Sequence, residues 1–342
     1  MTEIIIGILG IAILLYVLLG GADFGAGIVE WITGKKGIKT ISQAIAPVWE
    51  ANHIWIILAV VILFNGFPLV YTRLTTYLHI PLLIILIGII IRGSTFTFRY
   101  YDAPQEKGNQ YYSFLFRFSS LLTPFFLGII LGAVMLGKIP DSAEGTFYQL
   151  FMAPWLNWFS FATGIFLMLL FGWIASVYLI GEATDETYPL FARTTTLIFS
   201  LLIVSGLIVF MAAHYYRLHF LQKFLHSYVS MGCMMLATLL IPFMWIQIKR
   251  KNAVWTRILA GTQTACILTG WFAVQFPVMV YISGGENLTV WNTRAPDKTM
   301  YYLLIALIAG IVLIFPAFAY LFKVFKFRDQ GTGTRNKKEK SL

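Results

Sequence analysis

Long, uninterrupted apolar runs set the first limit on what this chain can fold into. Residues 4–22 contain no charged side chain, and similar stretches recur almost to the C-terminus. Crossing the hydrocarbon core of a bilayer as a helix takes about 20 mostly apolar residues. Backbone groups in lipid must bond within their own segment, which leaves helices or closed barrels. The runs are continuous rather than alternating, so helices are expected. Composition agrees: 58% of the 342 residues are hydrophobic and 12% charged, with a mean hydropathy of +0.77, where a soluble domain carries about 25% charged residues. The expected fold is all-α, a polytopic membrane protein with about nine transmembrane helices. The candidate spans are 4–33, 41–70, 74–95, 114–136, 157–180, 193–213, 224–247, 257–280 and 302–326.

The opening Met1-Thr2-Glu3 lacks the basic start of a secretory signal, and no small-residue cleavage site follows the first apolar run. The first span is therefore expected to remain in the mature protein. Cys233 and Cys266 fall in apolar runs and are read as small core residues rather than a disulfide. The net charge of +10 fits loop lysines and arginines that set topology better than a nucleic-acid surface. With the N-terminus outside, nineteen of the 25 Lys and Arg residues fall on the inner side. Only Arg73, Lys138, Arg217, Lys223, Arg294 and Lys298 are left outside. The positive-inside rule then places the C-terminus in the cytoplasm. The basic tail 327–342 has the composition of a disordered segment.

The sharpest chemical feature lies in the first two spans. Gly34-Lys35-Lys36-Gly37-Ile38-Lys39-Thr40 reads as a polar turn at the inner surface. Counting from it at about 1.5 Å per residue puts Asp23 roughly 16 Å up one helix and Glu50 roughly 15 Å up the next. Intramembrane carboxylates are costly and are paired, neutral or part of an ion path. Two at one depth suit proton relay by sharing a proton; a purely structural role, each acid hydrogen-bonded or ion-paired, is equally compatible with the spacing. Around them, Gly20 to Gly27 forms a small-residue surface for close helix approach, and Glu50 stands between Trp49 and Asn52–Trp55, with Pro47 loosening the helix. Arg92 ends the third expected span. It either snorkels to the interface or pairs with Glu50 or an anionic cofactor edge such as a propionate.

The five histidines do not form an axial pair at matching depth, so a haem held by this chain alone is not expected. Cys-x-x-Cys-His, phosphate-binding glycine loops and paired-histidine zinc motifs are absent from the sequence.

Gly21-Ala22-Asp23-Phe24-Gly25-Ala26-Gly27, followed by Ala46-Pro47-Val48-Trp49-Glu50-Ala51-Asn52-His53-Ile54-Trp55, resembles subunit II of the cytochrome bd quinol oxidases. That family shows Gly-x-Asp-x-Gly-x-Gly and then Ala-Pro-x-Trp-[Asp/Glu]-x-Asn-x-x-Trp. Further matches follow in order: Arg92-Gly93-Ser94-Thr95-Phe96, Pro124 with Gly128 and Gly132, Phe276-Pro277, and Asn287-Leu288-Thr289-Val290-Trp291. The resemblance implies two four-helix bundles, 1–140 and 141–290, with a peripheral ninth helix in 291–326. It implies a heterodimer with a subunit I that binds haems b and d and the quinol and reduces oxygen to water, a small accessory subunit being compatible. No cofactor would be ligated here. Carried over by position, Asp23 and Glu50 would be proton-relay carboxyls, Trp49 and Asn52 would position them, and Arg92 would reach haem propionates across the interface. One departure stands out: where the family often has an acid after that arginine, this chain has Thr97, which cannot carry charge. Asp102 and Glu106 are the only nearby substitutes. A proton-coupled secondary transporter and a scaffold subunit are the competing classes.

Overall fold

The computed structural model describes residues 1–45, 51–101, 106–314, 316, 317 and 320. Pro47, Trp49, Glu50, Asp102 and the tail 327–342 therefore lie outside the described residues. The chain is almost entirely helical: α1 (Thr2–Leu15), α2 (Gly21–Thr33), α3 (Ile38–Ile45), α4 (Ile54–Gly66), α5 (Pro68–Tyr77), α6 (His79–Tyr101), α7 (Glu106–Leu136), α8 (Trp158–Ile180), α9 (Tyr188–Tyr215), α10 (His219–His226), α11 (Tyr228–Lys249) and α12 (Ala253–Gln275). A last helix, α13, covers Asp297–Ile314. Seven of the described helices are long and apolar enough to cross a membrane, or eight with the bent pair α4–α5. The all-α membrane class holds, while nine spans are not established.

Three expected spans differ in detail, each for a local reason. The first is longer than a bilayer needs, 35 residues from Thr2 to Lys36, and a π-helical turn at Tyr16–Gly20 joins α1 to α2. The second, expected over 41–70, is not one helix. A 3-10 turn at Ala51–His53 precedes α4, and α4 meets α5 at a 113° bend, where Pro68 starts a new helix at a position that needs no N–H donor. The depth assigned to Glu50 counts along a helix from Thr40, of which α3 supplies the part up to Ile45, and Glu50 itself lies outside the described residues. The eighth stops at Gln275 rather than 280, where the chain turns into the β2 strand (Val278–Val280). That strand pairs antiparallel with β4 (Leu288–Thr289), while β1 (Ile139–Pro140) pairs in parallel with β3 (Ile282–Ser283). Asn287 and its neighbours serve this cap, the Asn287 Oδ1 accepting from Ile282 N at 3.0 Å.

Two apolar cores stack along the helix axes. One gathers Ile5, Leu9, Ile62, Phe67, Ile129 and Phe159 near the start of α1, and the other gathers Phe24, Ile41, Phe116, Phe171, Trp173 and Phe191 around α2. Small residues decide how tightly the second is built. A Cβ on Gly25 would stand 1.9 Å from the Phe171 carbonyl oxygen, and one on Gly27 would stand 2.3 Å from Ser120 Oγ. The α2 backbone is thus wedged against α8 on one side and α7 on the other. Across α7 and α8, a Cβ on Gly128 would reach Thr163 O at 2.5 Å, and Thr163 Oγ1 donates to Gly128 O at 2.9 Å. In lipid, where hydrocarbon solvates side chains as well as another helix does, such close packing is the main source of association.

Gly25→Ala should lower the melting temperature of the detergent-purified protein by several degrees, since forcing volume into a packed contact costs about 1–3 kcal/mol. Gly7→Ala, whose Cβ would meet nothing within 4 Å, should leave it unchanged, and differential scanning fluorimetry compares the two.

Candidate functional site

Asp23 stands three residues after the π turn, at the start of α2, with 3% of its surface exposed. Its carboxylate faces Arg92 of α6, whose Nη2 lies 2.5 Å from Oδ1 and donates to the Asp23 carbonyl oxygen at 3.1 Å. His53 Nε2 is 4.0 Å from Oδ2 on the other side. The Arg92 guanidinium lies over the rings of Phe24 and Phe116, at 4.7 and 5.5 Å from their centroids, and His53 meets Phe24 edge-on. The buried Tyr16 hydroxyl and Asn52 Oδ1 have no hydrogen-bond partner among the described residues. The site is a charged kernel in an aromatic wall.

Arg92 corrects one expectation. It is 1% exposed and neither snorkels nor ends its span. Gly93-Ser94-Thr95 looks like a stop, yet α6 runs through it to Tyr101. The Thr95 hydroxyl donates to Ile91 O at 2.7 Å and that of Thr97 to Gly93 O at 2.9 Å, so these hydroxyls satisfy carbonyls of their own helix. Thr97, at the position where an acid was expected, is spent on that bond. The partner Arg92 holds is Asp23, reached from α2. Trp49 and Glu50, the other two expected site residues besides Asn52, lie outside the described residues.

A second pair follows one step further along the same helices. Glu30 is fully buried, and Arg99 Nη1 donates to both of its carboxylate oxygens, at 2.9 and 2.8 Å. Arg99 Nη2 donates to Ser42 Oγ at 2.9 Å, and Arg117 Nε approaches Glu30 at 3.9 Å while its guanidinium lies 4.8 Å from the Trp31 ring centroid. Phe116 also lies beneath Arg99, at 4.5 Å, so one ring is shared by both arginines. Sequence reasoning does not single out Glu30, because it stands near the end of its span, where an acid could reach water. The signal that finds it is spacing. Asp23 and Glu30 are seven residues apart, as are Arg92 and Arg99, which is two helical turns on one face. Both ion pairs join residues 69 apart in sequence, so α2 and α6 run in the same sense, and α4–α5 is the return crossing between them. The two rungs are separated by roughly 10 Å along the axis.

His53 faces Asp23, His79 Nδ1 bonds Thr76 O and packs on Phe151, and His226 Nδ1 bonds Gln222 O. None of these contacts pairs one histidine with another. Among the described residues no group of three His, Cys, Asp or Glu side chains is placed to hold a metal ion.

Residues 1–325 match the model of a family described as cytochrome bd terminal oxidase subunit II. The chain is 22% identical over 318 residues to cytochrome bd ubiquinol oxidase subunit 2 of Bacillus subtilis, covering 91% of each. It is 21% identical over 353 residues to cytochrome bd-I ubiquinol oxidase subunit 2 of Escherichia coli K12, covering 92% of this chain and 91% of that protein. In fold it is similar to a chain of the bd oxidase structure from Geobacillus thermodenitrificans, with a TM-score of 0.76, 21% identity and 95% and 98% of the two chains covered.

The buried Glu30 rung predicts a clear mutational pattern. Glu30→Gln leaves Arg99 uncompensated and should destabilise by about 3–5 kcal/mol. The double change Glu30→Leu with Arg99→Leu should cost less than the sum of its two single changes. Thermal melting of the purified protein reads both, and strict additivity would show that the pair is not energetically coupled.

Proposed function

This chain belongs to the cytochrome bd terminal oxidase subunit II family, and from that premise we propose that it is the haem-free subunit of a quinol:O2 oxidoreductase in a bacterial cell membrane. In this reading a haem-bearing subunit I is its partner, and the haems b and d there supply the redox chemistry, with quinol as reductant. The two four-helix bundles and the peripheral helix expected from sequence are retained as the architecture of the assembled subunit. The N-terminus is outside and the C-terminus in the cytoplasm. Alkaline phosphatase fused after Leu342 should then be inactive and a fluorescent protein fused there bright; the reverse result would invert the topology.

This chain's own contribution is to help deliver cytoplasmic protons, with Asp23 and Glu50 as relay carboxyls and Asn52 and Trp49 positioning them. The observation that carries this reading is Asp23 itself, a buried intramembrane carboxylate between a guanidinium and an imidazole. His53, which approaches it, is three residues from Glu50 in sequence. Arg92 acts in this scheme as the counter-ion that keeps Asp23 in place. The other role expected of it, a haem propionate contact across the interface, would have to reach a side chain that is already buried within this chain. The competing transporter class calls for a substrate cavity beside the buried acid, and of two cavities formed by the described residues neither has Asp23 in its wall.

Asp23→Asn and Glu50→Gln are the direct tests, made in the oxidase purified through this chain. Relay predicts that oxygen consumption falls by at least about 100-fold, the lower end of what a positioned proton-transfer group contributes, while the haem d absorption bands persist. Unchanged consumption would favour a scaffold role for the acids. A colourless preparation would reject the oxidase assignment.

A further inference from the structure

Two cavities meet at the end of the molecule away from the Glu30 rung, and their chemistry changes from one to the other. The larger, about 410 Å³, lies among α7, α8, α9, α11 and α12, with a wall almost wholly of apolar side chains such as Leu131, Phe166, Leu202, Met234 and Trp271. Its size falls in the range of small-ligand sites, about 300–1,000 Å³. The smaller, about 280 Å³, shares Met135 and Phe220 with it and adds Tyr216, Arg217, Gln275 and Tyr281. It sits where α7, α9 and α12 stop, at Leu136, Tyr215 and Gln275. An apolar cleft between helices therefore borders a polar recess at the level of the helix ends, which is where lipid headgroups lie.

Three cations gather at that recess. Arg217 is in its wall, Lys138 Nζ lies 5.3 Å over the Tyr216 ring, and Lys223 Nζ is 3.2 Å from the Tyr281 hydroxyl. Among the described residues none of the three is within ion-pair distance of a carboxylate, whereas Arg73 and Arg294 hold Asp141 and Asp297. Glu286, next to the recess residue Asn287, contacts Asn292 instead. Arg217 also occupies a left-handed backbone conformation, φ 51°, which glycine or asparagine adopts more easily. Its guanidinium gives the recess something that a capping glycine would not.

We propose that this double cavity binds an acidic phospholipid, with the anionic headgroup among Lys138, Arg217 and Lys223 and an acyl chain in the apolar cleft. A zwitterionic lipid or an isoprenoid quinone could fill the cleft equally well, but neither carries the net negative charge that matches three unpaired cations.

The test uses the complex purified through this chain, washed with detergent and then supplied with phosphatidylglycerol or phosphatidylethanolamine, bound lipid being counted by native mass spectrometry. The expected result is at least a fivefold preference for phosphatidylglycerol that rising salt erodes, since such attraction is screened. The triple variant K138Q/R217N/K223Q should abolish the preference. Gly206→Phe should reduce retention of both lipids by filling the cleft, which a Cβ there enters at an ordinary 3.5 Å from the Phe166 ring. Equal retention of the two lipids, a preference indifferent to salt or to the triple change, or a quinone or peptide extracted from the site instead would overturn the proposal. Should the triple variant fail to assemble, the salt titration of the unaltered complex decides alone. The readout is bound lipid, so the outcome is independent of whether Asp23 relays protons.

Discussion

The two rungs that join α2 to α6 are the interaction on which the arrangement of the first half depends. Each places a carboxylate and a guanidinium in contact where water is scarce, Asp23 with Arg92 and Glu30 with Arg99. Taking such groups out of water costs several kcal/mol per ion, and the pair recovers it only when the geometry is good. Net stabilisation is therefore modest, but the penalty for any misplacement is large. Sliding α6 by a turn against α2 would strand four buried charges at once. Phe116 lies beneath both arginines and so ties α7 into the same register. The ladder acts as a specification of helix register and direction more than as a source of stability.

That ladder can close only because α2 lies deep among its neighbours, and the glycines put it there. Gly25 and Gly27 remove the Cβ atoms that would hold α2 away from the Phe171 carbonyl and from Ser120. The π turn at Tyr16–Gly20 supplies the rotation. In an unbroken helix Leu9, Tyr16, Asp23 and Glu30 would form one stripe at seven-residue spacing. A π turn accommodates one extra residue, and one residue is about 100° of rotation. The first half can then present Leu9 to the core shared with Ala59 and Ile62 of α4, while the second half presents its acids to α6. A small-residue stripe and one irregular turn place carboxylates that hydropathy alone would exclude.

These relations explain what was legible in the sequence. Hydropathy reports whether a segment can sit in lipid, and the spans it marks on α6 to α9 and α11 are present as helices. It carries no information on direction within a segment. The 113° bend between Gly66 and Pro68 was therefore hidden inside one apolar run, and the structured turn at Ala51–His53 escaped for the same reason. The third span was expected to end near Arg92, yet α6 continues to Tyr101, because local sequence is a weak prior on where a helix stops and tertiary packing overrides it. Asp23 was conspicuous, being charged in the middle of an apolar run. Glu30 was not, although the matched sevenfold spacings of the acids and the arginines were there to be read.

The helix α8 divides the molecule into halves with opposite needs. On one side Phe171 and Ala175 meet the bare backbone of α2 with no space left over. On another, Phe166, Leu167 and Leu170 line the large apolar cleft. Protein interiors are packed as densely as organic crystals, and a void forfeits the dispersion contacts of every atom that lines it. The tight side shows that this chain can close helix against helix where glycines allow it. The open side, faced by bulky residues such as Phe210, Met234 and Trp271, has the apolar surface to do the same and does not. A cleft of that size beside lipid is a place that a hydrocarbon chain can enter without displacing any polar partner. Filling it from the bilayer restores the missing contacts at the cost of ordering one chain.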